Sequence, residues 1–278
     1  CVQSHGRCEE SCRRQRLSVC TYVAFCCNYY FSSPLHASAF YTMKKTHSGL
    51  KHLYHFCFGS EAAFILSVEI VLGLVLSAAS LFIFFHLTNE VLEKEILAYD
   101  IALSKMVYTL RTPFLTQVMI IISFLGVAPA LATTALISIF LLIKKHRKEA
   151  VLFSLTLVIG FILNIGLKSL THRVRPLISP LVIEQSYSFP SGHAMNSFIF
   201  YSLLAYFSHH FIQKRSVCHA IIILSSLLIL LVGISRVYLG VHYPSDVIAG
   251  YIAGFLVFMM ALVLEWTFVF FKLFKKSE

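Results

Sequence analysis

Six long apolar runs separated by short polar clusters organise this chain. They lie at Ala62–Phe85, Phe114–Ile143, Ala150–Leu167, Ala194–Ile212, Ala220–Ile234 and Val247–Phe271. A helix crosses about 30 Å of hydrocarbon with about 20 residues, so these runs predict six membrane spans. Phe114–Ile143 is too long for one untilted span, and Gly126 and Pro129 interrupt it, which predicts a tilted or kinked helix. Glu69 falls inside the first run; an acid there is either functional or snorkels from near a helix end. Between the first two runs the pattern changes. In Leu87–Thr112, the residues Leu92, Ile96, Tyr99, Leu103, Met106 and Leu110 recur at alternating steps of four and three. Glu93, Glu95, Asp100 and Lys105 lie among them. This predicts one amphipathic helix on the membrane surface, with an ordinary cover helix packed on the bundle as the alternative.

Composition agrees with the pattern. Of 278 residues, 58% are hydrophobic and only 13% are Asp, Glu, Lys or Arg, and the mean hydropathy is +0.77. An all-α polytopic membrane protein follows, with little chain left for a separate soluble domain. The net charge of +10 would suit a nucleic acid, but the cations sit in short loops between apolar runs. Lys144–Lys148, Lys214-Arg215 and Lys272, Lys275 and Lys276 form the positive-inside pattern, not a polyanion groove. Both termini are therefore expected in the cytoplasm and no nucleic-acid partner is expected. Lys168, His172, Arg173, Arg175 and Arg236 break the rule, since they fall at the opposite face. An anion bound there would account for them.

The start of the chain reads differently. Six of the eight cysteines lie within residues 1–42, which show no sustained period. Cys8-x3-Cys12 with His5 lacks a second ligand pair at zinc spacing, and a disulfide framework is equally unsupported. Met43-Lys44-Lys45 looks like a natural start before an apolar helix. The expectation is a non-native or disordered extension over 1–42 and a membrane domain over 43–278.

Three motifs meet at the face that carries the anomalous cations. Lys168-x6-Arg175-Pro176 follows the third span. Pro190-Ser191-Gly192-His193 opens the fourth, where Ser can cap, Gly allows close backbone approach, and the free N–H groups favour an anion. Ser235-Arg236-x5-His242-x3-Asp246 lies between the last two spans. One helical turn from His242 to Asp246 lets the carboxylate hold one imidazole nitrogen and leaves the other as base, nucleophile or ligand. Arg236 brings a fork suited to phosphate oxygens. Phosphoryl transfer spreads charge over equatorial oxygens, which cations and backbone donors can stabilise without a metal. No metal and no cofactor is expected. Plainer readings stand beside these. His172 and Arg173 read as loop charges, and Asn164, one turn before Lys168, either orients that lysine or bonds another helix.

The three blocks resemble the type 2 phosphatidic acid phosphatase family, whose superfamily also includes vanadium haloperoxidases and glucose-6-phosphatase. The resemblance runs from about Leu87 to the C-terminus, with its signature over residues 168–246. Ser188–Asn196 is most similar to small bacterial phosphatidylglycerophosphatase B-like and undecaprenyl pyrophosphate phosphatase enzymes. The resemblance implies that His242 is a nucleophile forming a phosphohistidine, oriented by Asp246, and that His193 is the acid for the leaving group. It also implies that Lys168, Arg175, Arg236, the Ser191 hydroxyl and the Gly192 backbone hold the phosphoryl oxygens. The expected substrate is a membrane lipid bearing a phosphate or diphosphate, namely phosphatidylglycerol phosphate, phosphatidic acid or undecaprenyl diphosphate. It would be hydrolysed at the extracytoplasmic face of a bacterial plasma membrane. A lipid-phosphate transporter or scramblase would also need an anion site in a bilayer. The absence of an inverted repeat and the presence of the His-Asp pair weigh against it.

Overall fold

The computed structural model describes residues 61–126 and 128–274; nothing is stated of side chains at 61–63, 127–135 and 273–274. Residues 1–60, which include the stretch expected to be an extension, lie outside the described residues. The described chain is helical, with no strand among the described residues. Its helices are α1 (Glu61–Leu92), α2 (Leu97–Tyr108), α3 (Pro113–Leu125), α4 (Ala128–Ile143), α5 (Arg147–Thr171), α6 (Gly192–Phe211), α7 (Arg215–Tyr238) and α8 (Pro244–Phe274). Two compact units are distinguished. Val71–Glu265 forms one and holds every residue of the candidate site. The other comprises residues 1–70 and 266–278, described only at the first turns of α1 and the last turns of α8.

Among the described residues, four helices are long and apolar enough to cross a membrane, over Phe64–Leu92, Arg147–Thr171, Arg215–Tyr238 and Pro244–Lys272. Two sequence expectations need correction. Leu87–Thr112 is not one helix: α1 continues to Leu92, a turn intervenes with Lys94 at φ 63°, and α2 covers only Leu97–Tyr108. Phe114–Ile143 is not one kinked helix either, because α3 stops at Leu125 and α4 begins at Ala128. The four-and-three spacing of Leu92, Ile96 and Tyr99 runs on through the charged Glu93-Lys94-Glu95 turn, and the chain stays apolar on both sides of Gly126, so neither pattern marks a helix end.

Helix α6 is the centre of the larger unit. Its Met195, Ile199 and Leu203 are fully buried and pack with Phe153 of α5, with Phe189, and with Ala249 and Ala253 of α8. Close approach by α8 depends on two glycines. A β-carbon at Gly250 would stand 2.7 Å from the Ser191 carbonyl oxygen, and one at Gly254 would stand 2.8 Å from that of Met195. In a bilayer, apolar burial between helices gains little over lipid contact, so such close packing is what holds helices together. At the end of α7, Tyr238 is buried and its hydroxyl lies 3.1 Å from the Thr112 N–H and 3.2 Å from Thr116 Oγ1. Arg111 donates to the Tyr238 carbonyl through Nε (3.0 Å) and Nη2 (2.7 Å), and to the Ser179 carbonyl through Nη1 (2.8 Å). The start of α3, the end of α7 and the 172–191 loop are thus fastened together where the motifs converge.

Candidate active site

His242 lies between α7 and α8, is 1% exposed, and has different surroundings at its two nitrogens. Nδ1 faces Asp246 Oδ2 at 3.5 Å and Ser188 Oγ at 3.4 Å. Nε2 faces Arg175 Nη1 at 3.2 Å. Burial pushes the His242 imidazole down to about 4, although Asp246 pulls the other way, and Arg175 and Arg236 add to the lowering. The ring is therefore neutral near pH 7. With its proton at Nδ1 towards the carboxylate, the lone pair is on Nε2, where it accepts from Arg175 Nη1 and faces the side from which a phosphoryl group would arrive.

Asp246 is held on every side. It is the third residue of α8, after Pro244 at the first position, where proline costs no helical hydrogen bond. Its Oδ2 accepts from the Tyr243 N–H at 2.8 Å, the reach-back of an N-terminal capping carboxylate, and from Ser188 Oγ at 2.5 Å. Its Oδ1 accepts from Arg173 Nη1 at 2.5 Å. Its carbonyl accepts from the Ser191 N–H at 2.9 Å, which ties the start of α6 to the start of α8. Arg173 continues the network, with Nη1 2.7 Å from Ser245 Oγ and Nη2 2.7 Å from Asp100 Oδ2. Its guanidinium also lies 4.5 Å from the centre of the Tyr243 ring. Burial alone would lower the Arg173 pKa, but Asp246 and Asp100 outweigh it and raise it.

On the Nε2 side the cations converge on a carboxylate. Glu184 in the 172–191 loop lies 3.3 Å from Arg175 Nη2 and also accepts from Arg236 Nη2. Burial would raise the Glu184 carboxyl, but Arg236 and Arg175 hold it below the usual carboxylate range. Arg236 also donates through Nη1 to Ser123 Oγ at 2.6 Å, while its buried Nε has no hydrogen-bond partner. An orphaned guanidinium N–H in a buried site is costly unless a ligand completes it. Arg236, Glu184 and His193 border a cavity of about 310 Å³ whose other walls include Ile120, Phe124, Val182 and Leu239.

The remaining sequence-predicted residues take distinct places. Lys168, in the last turn of α5, donates to the Tyr187 carbonyl and lies 3.4 Å from Ser186 Oγ, so it braces the loop. His172 is the left-handed cap that ends α5, with its N–H on the Lys168 carbonyl at 3.2 Å. Ser191 caps α6, its Oγ accepting from the Ala194 N–H at 3.5 Å. A β-carbon at Gly192 would stand 2.7 Å from Asn164 Oδ1, so packing by itself demands glycine there. Asn164 donates to the Pro190 carbonyl at 3.4 Å, which selects the helix-bonding alternative over contact with Lys168. Three participants carried no motif: Arg173, dismissed as a loop charge, Glu184 and Asp100. Among the described residues no cluster of three or more His, Cys, Asp or Glu could hold a metal ion.

Residues 149–270 match the family model described as PAP2 superfamily. The chain is 37% identical over 186 residues to phosphatidylglycerophosphatase B of Bacillus subtilis (strain 168), covering 65% of this chain and 91% of that protein. It is 31% identical over 140 residues to an undecaprenyl-diphosphatase of Sulfolobus acidocaldarius, covering 48% and 62% respectively. Among solved structures, a transmembrane PAP2 type phosphatidylglycerolphosphate phosphatase from Bacillus subtilis matches with a TM-score of 0.64 at 33% identity. That match covers 68% of this chain and 95% of that one. With sequence and fold agreeing over nearly the whole length of a relative, the chain belongs to the PAP2 superfamily.

Proposed function

We propose that the protein is an integral membrane lipid phosphatase that cleaves a lipid phosphate monoester or diphosphate through a phosphohistidine on His242. The observation that carries this reading is the asymmetry of the buried imidazole. Nδ1 faces Asp246 at 3.5 Å, and Nε2 faces Arg175, next to a guanidinium with an unpartnered Nε–H. Nε2 attacks phosphorus, the bond to the leaving oxygen breaks, and His193 gives that oxygen a proton. Arg175, Arg236, Lys168, Ser191 and the Gly192 backbone stabilise the equatorial oxygens. Water then attacks the phosphohistidine with His193 as base, which releases inorganic phosphate and restores neutral His242. Metal independence follows from this division of labour, since the cations do the work of a metal.

The relatives' names point to phosphatidylglycerol phosphate or undecaprenyl diphosphate as the substrate class, and the family resemblance adds phosphatidic acid. The apolar walls at Ile120, Phe124, Val182 and Leu239 support a lipid, whose tails would stay among apolar groups while the headgroup reaches Arg236. Six crossings are proposed, counting α3 with α4 as one broken span and α6 as another, with α2 on the membrane surface. The site residues lie near the C-terminal ends of α5 and α7 and the N-terminal ends of α6 and α8. Lys144–Lys148 and Lys214-Arg215 lie at the other ends. Positive-inside bias then supports an extracytoplasmic site in a bacterial plasma membrane.

The test is phosphate release from short-chain lipid phosphates by purified protein. His242→Ala should abolish it, EDTA should not, and orthovanadate should inhibit as a mimic of the transition state. An acid-labile phosphoenzyme should be trapped from labelled substrate in wild type but not in His242→Ala. Activity lost to EDTA and restored by magnesium would overturn the covalent histidine. Sidedness is tested by impermeant thiol labelling of single cysteines at Ser179 and Ser216 in a Cys-free background. Labelling at Ser216 alone would reverse the topology.

A further inference from the structure

Asp100 lies on α2, outside every motif, yet it is only 2% exposed and fully bonded. Its Oδ1 accepts from the Ser245 N–H at 3.0 Å, and its Oδ2 accepts from Ser245 Oγ at 2.5 Å and Arg173 Nη2 at 2.7 Å. The other branch of the same guanidinium grips Asp246 Oδ1 at 2.5 Å. One cation therefore bridges two buried carboxylates, and the second carboxylate faces the His242 imidazole. We propose that Asp100 is a positioning residue for the hydrolysis, acting through Arg173 and Ser245 to fix Asp246 against His242 and to keep its charge available to the ring.

Geometry and charge make the same demand. A planar guanidinium fork fixes direction only if both branches are held. With Asp100 on one branch, Arg173 is aimed at Oδ1, which leaves Oδ2 to Ser188, Tyr243 and His242. The charges matter too. Arg173 paired with Asp246 alone would cancel the carboxylate that must stabilise the imidazolium character growing on His242. Shared between two carboxylates, the trio keeps one net negative charge. A buried carboxylate pair around a single cation is costly to assemble and persists where it has a use. The N-terminal end of α8 gains as well, since Asp100 holds the Ser245 N–H and so sets the turn from which Asp246 projects.

This inference rests on His242 being the nucleophile, and the test separates the two. In purified protein, Asp100→Asn should lower kcat by about 10–100-fold, as loss of an outer partner of a reacting group commonly does. KM for the lipid and the inhibition constant of inorganic phosphate should stay within about twofold, because the anion site lies on the other face of the ring. Arg173→Gln should lower kcat at least as far. The double variant should fall well short of the product of the two losses, since Asp100 acts largely through that arginine and otherwise only through Ser245. The acid limbs of the kcat/KM profiles should move in opposite directions. Asp100→Asn leaves Arg173 unopposed and shifts the limb to lower pH; Arg173→Gln leaves two carboxylates uncompensated and shifts it higher. The other charged or titratable groups about the ring, Lys168, Arg175, Glu184, His193 and Arg236, are unchanged in both. A multiplicative double variant, or a weakened phosphate inhibition constant, would overturn the proposal. Should Asp100→Asn not fold, Ser245→Ala removes two of the bonds and should cost about 3–10-fold in kcat at constant KM. If neither variant folds, Asp100 is a structural residue and the proposal fails. If His242→Ala stays active, the nucleophile assignment itself fails; a dead His242→Ala beside a fully active Asp100→Asn rejects the positioning role alone.

Discussion

Two guanidinium–carboxylate networks flank His242, and they differ in how completely they are closed. On the Nδ1 side, Asp246 and Asp100 are 0% and 2% exposed around Arg173, and all four carboxylate oxygens have donors. On the Nε2 side, Glu184 is 26% exposed between Arg175 and Arg236, beside a cavity of about 310 Å³ and an arginine Nε with no partner. A saturated, dry network has nothing left to offer a ligand and serves to hold geometry. An unsaturated one keeps a donor to offer, and under the proposed function its single carboxylate would give way to a phosphoryl anion. The closed side should control turnover and the open side should also control anion affinity.

The largest effect comes from opening the closed network at its centre. Asp246→Asn keeps the shape but loses the charge, and turnover should fall by about 10³–10⁴-fold, as when the orienting acid of a catalytic triad is made an amide. Inhibition by inorganic phosphate should barely change. Equal loss in both measurements would erase the distinction between the networks. Next is Arg236→Gln on the open side, which should cost about 10²–10³-fold in kcat, the range for removing one preorganised transition-state donor. Here phosphate inhibition should weaken as well, because the same donors hold the ground-state anion.

The two sides also differ in how far they could be read from sequence. His242 and Asp246 announce themselves by one-turn spacing, and Ser191 by its place before a helix. Arg175 and Arg236 stood out as cations at a face where the loop charges ran the other way. Asp100 did not stand out. On α2, Asp100 and Ser104 are buried while Tyr99, Leu103 and Met106 are exposed. A polar stripe reads as the solvated face in water, whereas in a bilayer the apolar stripe can face outward and the polar one inward. Glu184 and Arg173 lie in an aperiodic loop where charge is the default. The break at 93–96 was hidden for a different reason, since the spacing of Leu92, Ile96 and Tyr99 runs on through it, and the end of α3 showed only as the interruption at Gly126 and Pro129.

A smaller effect sharpens the idea of exchange. Glu184→Gln removes the carboxylate that competes for Arg175 and Arg236, so inorganic phosphate should bind about 3–10-fold more tightly, in line with partly exposed ion pairs. The change should show in the inhibition constant, with kcat altered by less than about threefold. Weaker phosphate binding would make Glu184 a part of the anion site instead of its occupant.

The smallest effect is in the pH profile, where the two networks pull the same imidazole in opposite directions. Burial holds the His242 pKa near 4, Asp246 raises it, and Arg175 and Arg236 lower it. On this group's account kcat/KM should be flat from pH 8 to about 5, then fall tenfold per unit below about 4. Arg175→Gln removes one lowering charge 3.2 Å from Nε2 and should move the acid limb upward by less than about one unit, because burial, the larger cause, remains. Stability should follow with a definite sign. The folded pKa lies below the ordinary 6.5, so between those values the unfolded chain binds the proton that the folded chain refuses. The contribution to stability is complete above about pH 6.5 and is lost as pH falls towards 4. A limb found at 6.5 in the wild-type protein would mean that His242 is solvated, and the closed network would then not be holding a buried, neutral nucleophile.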